Sequence, residues 1–471
     1  MTQLLTPDLC VIGAGAGGLA VAAGAAQLGA AVVLVERAKM GGDCLNFGCV
    51  PSKALLAAAR LADLGRRGAG FGIDYAAPRI DFAAVADGVR RVVAGLAPHD
   101  SAERFEALGV TVLRAEAHFT GPRLVRAGDT LIRPRRFVVA TGSRPYVPDI
   151  PGLAAAPYLT NETLFDNIRR PQHLIVIGGG PIGIEMAQAH RRLGTRVTVI
   201  DNGPILPHDD RELVGLLCRR LEEEGVALRP RTEIAAVEAA GDGVAVRLAE
   251  GERIAGSHLL VAAGRRPAIE ALDLGAAGIA ATALGIAVDR RLRTTNRRAF
   301  AVGDVAGGPQ FTHAALYHAG IVIRNALFRL RARTDYRALP WANFTDPELA
   351  QVGLGEAAAR AACGRVRVLR AGFAENDRAA PEHDDLGRVK IVVRPNGRIL
   401  GAAILGAGAG ELILPWALAI SQRLRIGAFA NLVVPYPTRG EAGKSAAQGF
   451  YIPALFSPRT RRLVRFLARF G

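Results

Sequence analysis

The chain has 471 residues, 50% hydrophobic and 22% charged, a globular composition long enough for about three domains. Its five cysteines exclude a disulfide-stapled secreted scaffold. The formal net charge of +16 rests on 59 basic residues, of which only Lys39, Lys53, Lys390 and Lys444 are lysine. Arginine spread along the chain without a nucleic-acid reader motif argues against a nucleic-acid partner.

The opening Met-Thr-Gln-Leu-Leu-Thr-Pro has neither the basic start nor the cleavage site of a signal peptide, so an intracellular, cytoplasmic protein is expected. Leu9 to Val35 contains no charge and is long enough to span a bilayer. Its pattern is nevertheless strand, turn, helix, strand. Leu9–Ile12 is a short apolar run, Gly13-Ala-Gly15-Ala-Gly17-Gly18 breaks it, an Ala-rich helix follows, and Ala30–Val35 is a second strand. The transmembrane reading is rejected.

This unit recurs. Gly13-x-Gly15-x-x-Gly18 is followed by Glu36, and Gly178-x-Gly180-x-x-Gly183 by Asp201, each acid 23 residues after its first glycine. The first glycine permits a tight turn, the second lets backbone approach a pyrophosphate, and the third lets helix pack on strand. The helix N-terminus offers free N–H groups to phosphate, and the acid accepts from a ribose hydroxyl. A matched pair of such units predicts two dinucleotides and electron or hydride transfer between them. Asp201 is followed by Asn202-Gly203-Pro204, with no cation for a 2′-phosphate, which favours NAD(H) over NADP(H).

Between the two units lies Gly41-Gly42-Asp43-Cys44-Leu45-Asn46-Phe47-Gly48-Cys49-Val50-Pro51-Ser52-Lys53. Cys-x4-Cys followed by Val-Pro-Ser-Lys resembles the redox-disulfide segment of the class I pyridine nucleotide–disulfide oxidoreductases, which include dihydrolipoyl dehydrogenase, glutathione reductase and mercuric reductase. The resemblance extends to Ala140-Thr141-Gly142-Ser143-Arg144-Pro145, to Ala263-Gly264-Arg265-Arg266-Pro267, to Phe300-Ala301-Val302-Gly303-Asp304 and to Phe344-Thr345-Asp346-Pro347-Glu348. A metal site at the cysteines is disfavoured, because no second Cys/His pair has zinc-ligand spacing; no metal is expected. Cys10, Cys218 and Cys363 read as ordinary buried thiols.

The resemblance implies an α/β fold with two Rossmann-like dinucleotide-binding domains, for FAD and NAD, and a C-terminal α+β dimerisation domain. Residues 1–150 and 271–335 would form the FAD domain, 151–270 the NAD domain and 340–471 the homodimer interface, which contributes residues to the partner's active site. It implies that Cys49 is the thiolate nearer the flavin and Cys44 the interchange thiol, a reversible two-electron store. Lys53 would lie against the flavin and pair with Glu185. Glu36 would bind the FAD ribose and Asp304 the ribityl chain, with Gly42, Ala117, Thr141 and Gly142 nearby and Gly264 closing the nicotinamide domain. Pro181 stands where many members carry a flavin-covering tyrosine, so that gate is expected to be missing.

The C-terminal part is read as strands Arg365–Leu369, Val389–Val393 and Ile399–Leu405 with a helix over Glu411–Ser421. Thiol-exchanging members carry His-Pro-Thr-x-x-Glu there, the histidine acting as base and the glutamate orienting it. Here the segment is Tyr436-Pro437-Thr438-Arg439-Gly440-Glu441. Tyrosine titrates near ~10 and histidine near ~6.5, so Tyr436 is a poor proton shuttle at neutral pH. Mercuric reductases also have tyrosine at this position, but no cysteine follows Cys363 to supply their metal-delivery pair.

Three readings stay open: a mercuric-reductase-like enzyme passing electrons from NADH to a small acceptor, a dihydrolipoyl dehydrogenase in which Tyr436 replaces the base, and a membrane-associated flavin-bearing partner. After Glu441 the chain has no acid, and Arg459–Phe470 is predicted as an amphipathic helix. Its apolar face (Leu463, Val464, Phe466, Leu467, Phe470) is expected to dock on the enzyme body. Peripheral contact with the inner face of the membrane is the alternative.

Overall fold

The computed structural model describes residues 3–470, and these form two compact units. The first comprises the chain up to Asp63, Ala77–Pro204 and Arg229–Thr334. At its centre is a five-stranded parallel sheet in the order Ala299–Ala301, Arg136–Val139, Leu9–Ile12, Val32–Glu36, Val110–Arg114. All four residues of Leu9–Ile12 are buried, as expected for a strand covered on both faces. The helix Ala16–Gln27 crosses over from this strand to Val32–Glu36.

The second glycine motif builds the same unit again. Strand His173–Ile177 lies parallel to both Arg196–Ile200 and His258–Val261, and helix Pro181–Arg192 makes the crossover. Pro181 occupies the first helical turn, where its missing N–H costs nothing and its fixed φ suits the helix. An antiparallel meander, Ile234–Ala240, Gly243–Leu248 and Arg253–Gly256, closes this half. The strands Ser143–Pro145 and Arg265–Pro267 pair with each other, joining the two resemblance motifs that contain them.

The second unit is built on a five-stranded antiparallel sheet ordered Pro340–Asn343, Glu348–Gly353, Ile399–Gly406, Arg388–Val393, Arg367–Gly372. Val352, Phe373, Ile391, Ile404 and Trp416 fill its core. The edge strand begins at Arg367, two residues later than the sequence pattern suggests. Ile205–Leu228, placed by the sequence reading in the NAD domain, clusters with this second unit. Ion pairs and hydrogen bonds tie it there: buried Lys390 lies 2.9 Å from Asp210, 3.2 Å from Glu212 and 3.1 Å from Glu356, Arg388 reaches Glu212 at 2.7 Å, and Trp341 and Asn343 donate to Asp209.

Two expectations need correction. Cys10 is buried, but Cys218 and Cys363 are only half-buried, and Arg394 donates to the Cys363 sulfur at 3.3 Å. The terminal helix spans Pro458–Leu467, and its apolar face is not docked on the body. Leu463, Val464, Phe466 and Leu467 are all exposed, as is Phe470 beyond it. Among the described residues, no helix is long and apolar enough to cross a membrane.

Candidate active site

The two dinucleotide cradles are built by the same contacts. Gly13 and Gly178 have φ of +104° and +117°, and a Cβ on either would strike the carbonyl oxygen of Ala140 or Ala262. A Cβ on Gly18 or Gly183 would lie 1.9 Å from the carbonyl oxygen of Gly13 or Gly178, so helix and turn touch backbone to backbone. Gly15 and Gly180 are different: a Cβ would meet nothing closer than 4.0 Å at the first and nothing within 4 Å at the second. These middle glycines leave open space at the helix N-termini, which no side chain caps. That is the space and the donor set a pyrophosphate needs, and the residues fit FAD and a nicotinamide dinucleotide.

The acids repeat as well. Glu36 accepts from the Ala14 amide at 2.6 Å and the Ala38 amide at 2.7 Å. Asp201 accepts from the Gly179 and Gly203 amides, both at 2.6 Å. Each carboxylate is oriented by the turn it closes and keeps lone pairs for ribose hydroxyls. Thr141 donates to the Ala268 carbonyl at 2.7 Å, and Gly142 and Gly264 adopt positive φ at the two ends of the paired strands. Ala117 is buried at the start of strand Ala117–Gly121, and Gly42 packs its Cα against Gly15.

The cysteines sit on consecutive helices. Cys44 lies in the short helix Gly42–Asn46, and Cys49 opens the long helix Cys49–Gly68, on which Lys53 is one turn along and on the same face. Both thiols are free. Lys53 Nζ lies 2.8 Å from Glu185 Oε2, which is buried on helix Pro181–Arg192. The dithiol shares its charge unevenly. Cys49 is lowered to about 6, chiefly by the hydrogen bond from Cys44 and then by Thr312 and the Lys53 charge. Cys44 is pushed strongly upward, chiefly by that same hydrogen bond and by burial. The arrangement stores one thiolate, on Cys49, beside a protonated Cys44.

Sequence reasoning missed the residues that support this pair. Thr312 Oγ1 lies 3.6 Å from Cys49 Sγ, across 263 residues of chain. Arg265 donates to Ser143 Oγ at 2.6 Å and lies 3.2 Å from Asp43, the residue before Cys44. Ser143 in turn donates to Asp304 at 2.5 Å, and burial raises the Asp304 pKa. Asn161 donates to Asp43 and to the Phe47 carbonyl. Buried His318 accepts from the Gly303 amide and thereby holds the turn before Asp304; burial lowers it to about 4. Only the motif membership of Arg265 and Ser143 signalled any of this.

A pattern match settles the family. The pyridine nucleotide-disulphide oxidoreductase model covers residues 7–319, and the dimerisation domain of the same family covers 339–447. The chain belongs to the pyridine nucleotide-disulphide oxidoreductase family. It is 37% identical to a mercuric reductase of Streptomyces lividans over 94% of this chain and 96% of that protein. It is 36% identical to a dihydrolipoyl dehydrogenase of Thermus scotoductus over 96% and 98%. Among solved structures it resembles a Cu(II) complex of the HOCl-induced flavoprotein disulfide reductase RclA of Escherichia coli, with TM-score 0.84 and 28% identity over 92% of this chain and 98% of that one. LpdA of Mycobacterium tuberculosis gives TM-score 0.85 and 27% identity over 94% and 99%. This family member is therefore an FAD- and NAD(P)-dependent disulfide oxidoreductase, and its dimerisation domain supports a homodimer.

In the second unit, Tyr436 is exposed and its hydroxyl donates to Asp377 Oδ2 at 2.9 Å. Glu441 was expected to orient residue 436. It accepts instead from the Thr438 amide at 3.4 Å, because it lies in the first turn of helix Gly440–Gln448 and folds back over the helix start. Asn376 donates to the Thr438 carbonyl, and Arg439 pairs with Glu382 and Asp384, so the loop around 376–384 holds this segment.

Proposed function

We propose that this oxidoreductase takes electrons from NADH, in preference to NADPH, and passes them through the Cys44–Cys49 pair to a small acceptor that is not a lipoyl group, in the manner of a mercuric reductase. The observation that carries this reading is the Tyr436–Asp377 hydrogen bond. Asp377 raises the phenol above its ordinary value of 10, so at neutral pH Tyr436 stays protonated and does not act as a base. Its proton points to Asp377, which leaves oxygen lone pairs to accept from, or ligate, an incoming acceptor. Asp201, followed in the chain by Asn202-Gly203-Pro204 with no arginine or lysine, supports NADH.

FAD in the first cradle would supply the two-electron carrier between nicotinamide and dithiol, with Gly13, Gly15, Gly18, Glu36 and Asp304 holding it. Lys53, fixed by Glu185, would set the charge beside it. With a small disulfide as acceptor, Cys44 Sγ attacks one sulfur and gives up its proton to the first product thiolate as that thiolate is expelled. Cys49 then attacks Cys44 Sγ, closes the internal disulfide and expels the second. Two electrons leave the enzyme, and the second product thiolate takes its proton from water, so that two product thiols form.

Steady-state assays of the purified protein test this: NADH with Hg(II), glutathione disulfide or quinones, against dihydrolipoamide with NAD. Fast turnover of dihydrolipoamide near neutral pH overturns the reading. It would install the second one, dihydrolipoyl dehydrogenase, which the 36% identity to the Thermus scotoductus protein favours.

A further inference from the structure

From Ala442 to Phe470 the chain carries six basic residues, Lys444, Arg459, Arg461, Arg462, Arg465 and Arg469, and no acid. The helix Pro458–Leu467 within it is specified locally. Ser457 caps it by accepting from the Thr460 amide, and Pro458 fills its first turn. At 100° per residue, Leu463, Val464, Phe466, Leu467 and Phe470 fall on one arc and Arg461, Arg462, Arg465 and Arg469 on the other. The apolar side chains are 53–75% exposed, and Ile452, Leu455 and Phe456 just before them are exposed too. Among the described residues, none of the helix's arginines has an acidic partner.

We propose that this segment docks on an anionic lipid surface and holds the reductase peripherally on it. Two observations select that occupant. The family's dimerisation domain ends at residue 447, so the helix lies outside the module that pairs the subunits. A two-fold contact through the apolar arcs of two such helices would leave the arginine arcs on the outer faces with no acid of the segment to meet. A bilayer interface satisfies both faces at once: the apolar arc enters the acyl boundary, and the arginines reach phosphate oxygens along its edge. The inference is independent of the acceptor and stands or falls apart from it.

The test is co-sedimentation of the FAD-loaded full chain with vesicles of phosphatidylcholine, with and without phosphatidylglycerol. Binding is expected with the anionic vesicles and little with phosphatidylcholine alone, and it weakens as salt is raised. Replacing Phe466 and Leu467 together by aspartate lowers partition at least about tenfold, and each arginine changed to glutamine lowers it roughly fivefold. Flavin content and NADH oxidation remain at the wild-type level in these variants, since the substituted side chains are exposed and lie in neither the dinucleotide cradles nor the dithiol. Absent binding to anionic vesicles, or equal binding by the double aspartate variant, overturns the proposal. So does a double variant that dissociates the dimer in analytical ultracentrifugation, which would identify a second copy as the occupant.

Discussion

The Tyr436 hydroxyl donates to Asp377, 59 residues earlier in the chain, at 2.9 Å, and not to Glu441 in its own motif. The substrate question turns on this bond. A phenol giving its proton to a carboxylate resists ionisation, and general-base assistance is typically worth 10²–10⁴-fold. Dihydrolipoamide oxidation by the wild type is therefore expected to be slow. Tyr436→His should raise it by about 10²-fold or more while Tyr436→Phe does not. Asp377→Asn should lower the pH at which Tyr436 ionises, read as the difference in phenolate absorbance between enzymes with and without Tyr436. An unmoved titration would remove Asp377 as the cause.

Cys49 is expected to carry the thiolate of the reduced enzyme, and Cys49→Ser to abolish the long-wavelength absorbance of a thiolate facing flavin. Cys44→Ser should retain such a band as purified. With Cys49 lowered to about 6, the band is present above that pH and fades as pH falls through it. Thr312 donates to this thiolate, so Thr312→Ala should move the fading upward in pH. Identical midpoints in the two enzymes would show that the hydroxyl plays no part.

Asp201 closes its glycine turn through the Gly179 and Gly203 amides, and in the proposed function it also accepts from the nicotinamide ribose. NADH is expected to exceed NADPH in kcat/KM. Asp201→Ala should cost NADH about tenfold, the worth of one charge-assisted hydrogen bond, and NADPH less. Equal losses for the two cofactors would assign Asp201 to the turn alone.

Arg265 is 12% exposed and lies between two carboxylates, 3.2 Å from Asp43 and 3.8 Å from Asp304. Arg265→Met leaves both without their cation. A loss of about 2 kcal/mol in denaturant unfolding is expected, below the full cost of a broken buried pair because Asp43 is partly exposed. The Cys49 hydrogen bond and burial chiefly raise the Cys44 thiol and the Asp43 charge adds a smaller push, so Asp43→Asn should modestly speed alkylation of Cys44 in the reduced enzyme. Unchanged alkylation would place the Asp43 charge too far away to matter.

What the sequence by itself determined is what short spacing encodes. A strand, three glycines and an acid 23 residues on from the first describe one βαβ crossover, and both copies fold with the same backbone contacts. Cys44, Cys49 and Lys53 were legible because five residues and one helical turn fix their relation locally. The amphipathic tail was legible for the same reason: its arcs follow from helix geometry alone. Its freedom from the enzyme body was not, because docking depends on whether a complementary surface lies opposite.

Only the tertiary structure decided the partners brought from afar. Thr312 reaches Cys49 across 263 residues, and Arg265 lies against Asp43 through the pairing of Ser143–Pro145 with Arg265–Pro267, whereas the Lys53–Glu185 pair, 132 residues apart, was expected from the family resemblance alone. Glu441 stood at the motif's spacing from Tyr436, yet the start of helix Gly440–Gln448 turned it to the Thr438 amide and left Tyr436 to Asp377. Side-chain pairing follows the direction in which each Cα–Cβ bond points once the elements are packed, and sequence separation carries no information about that.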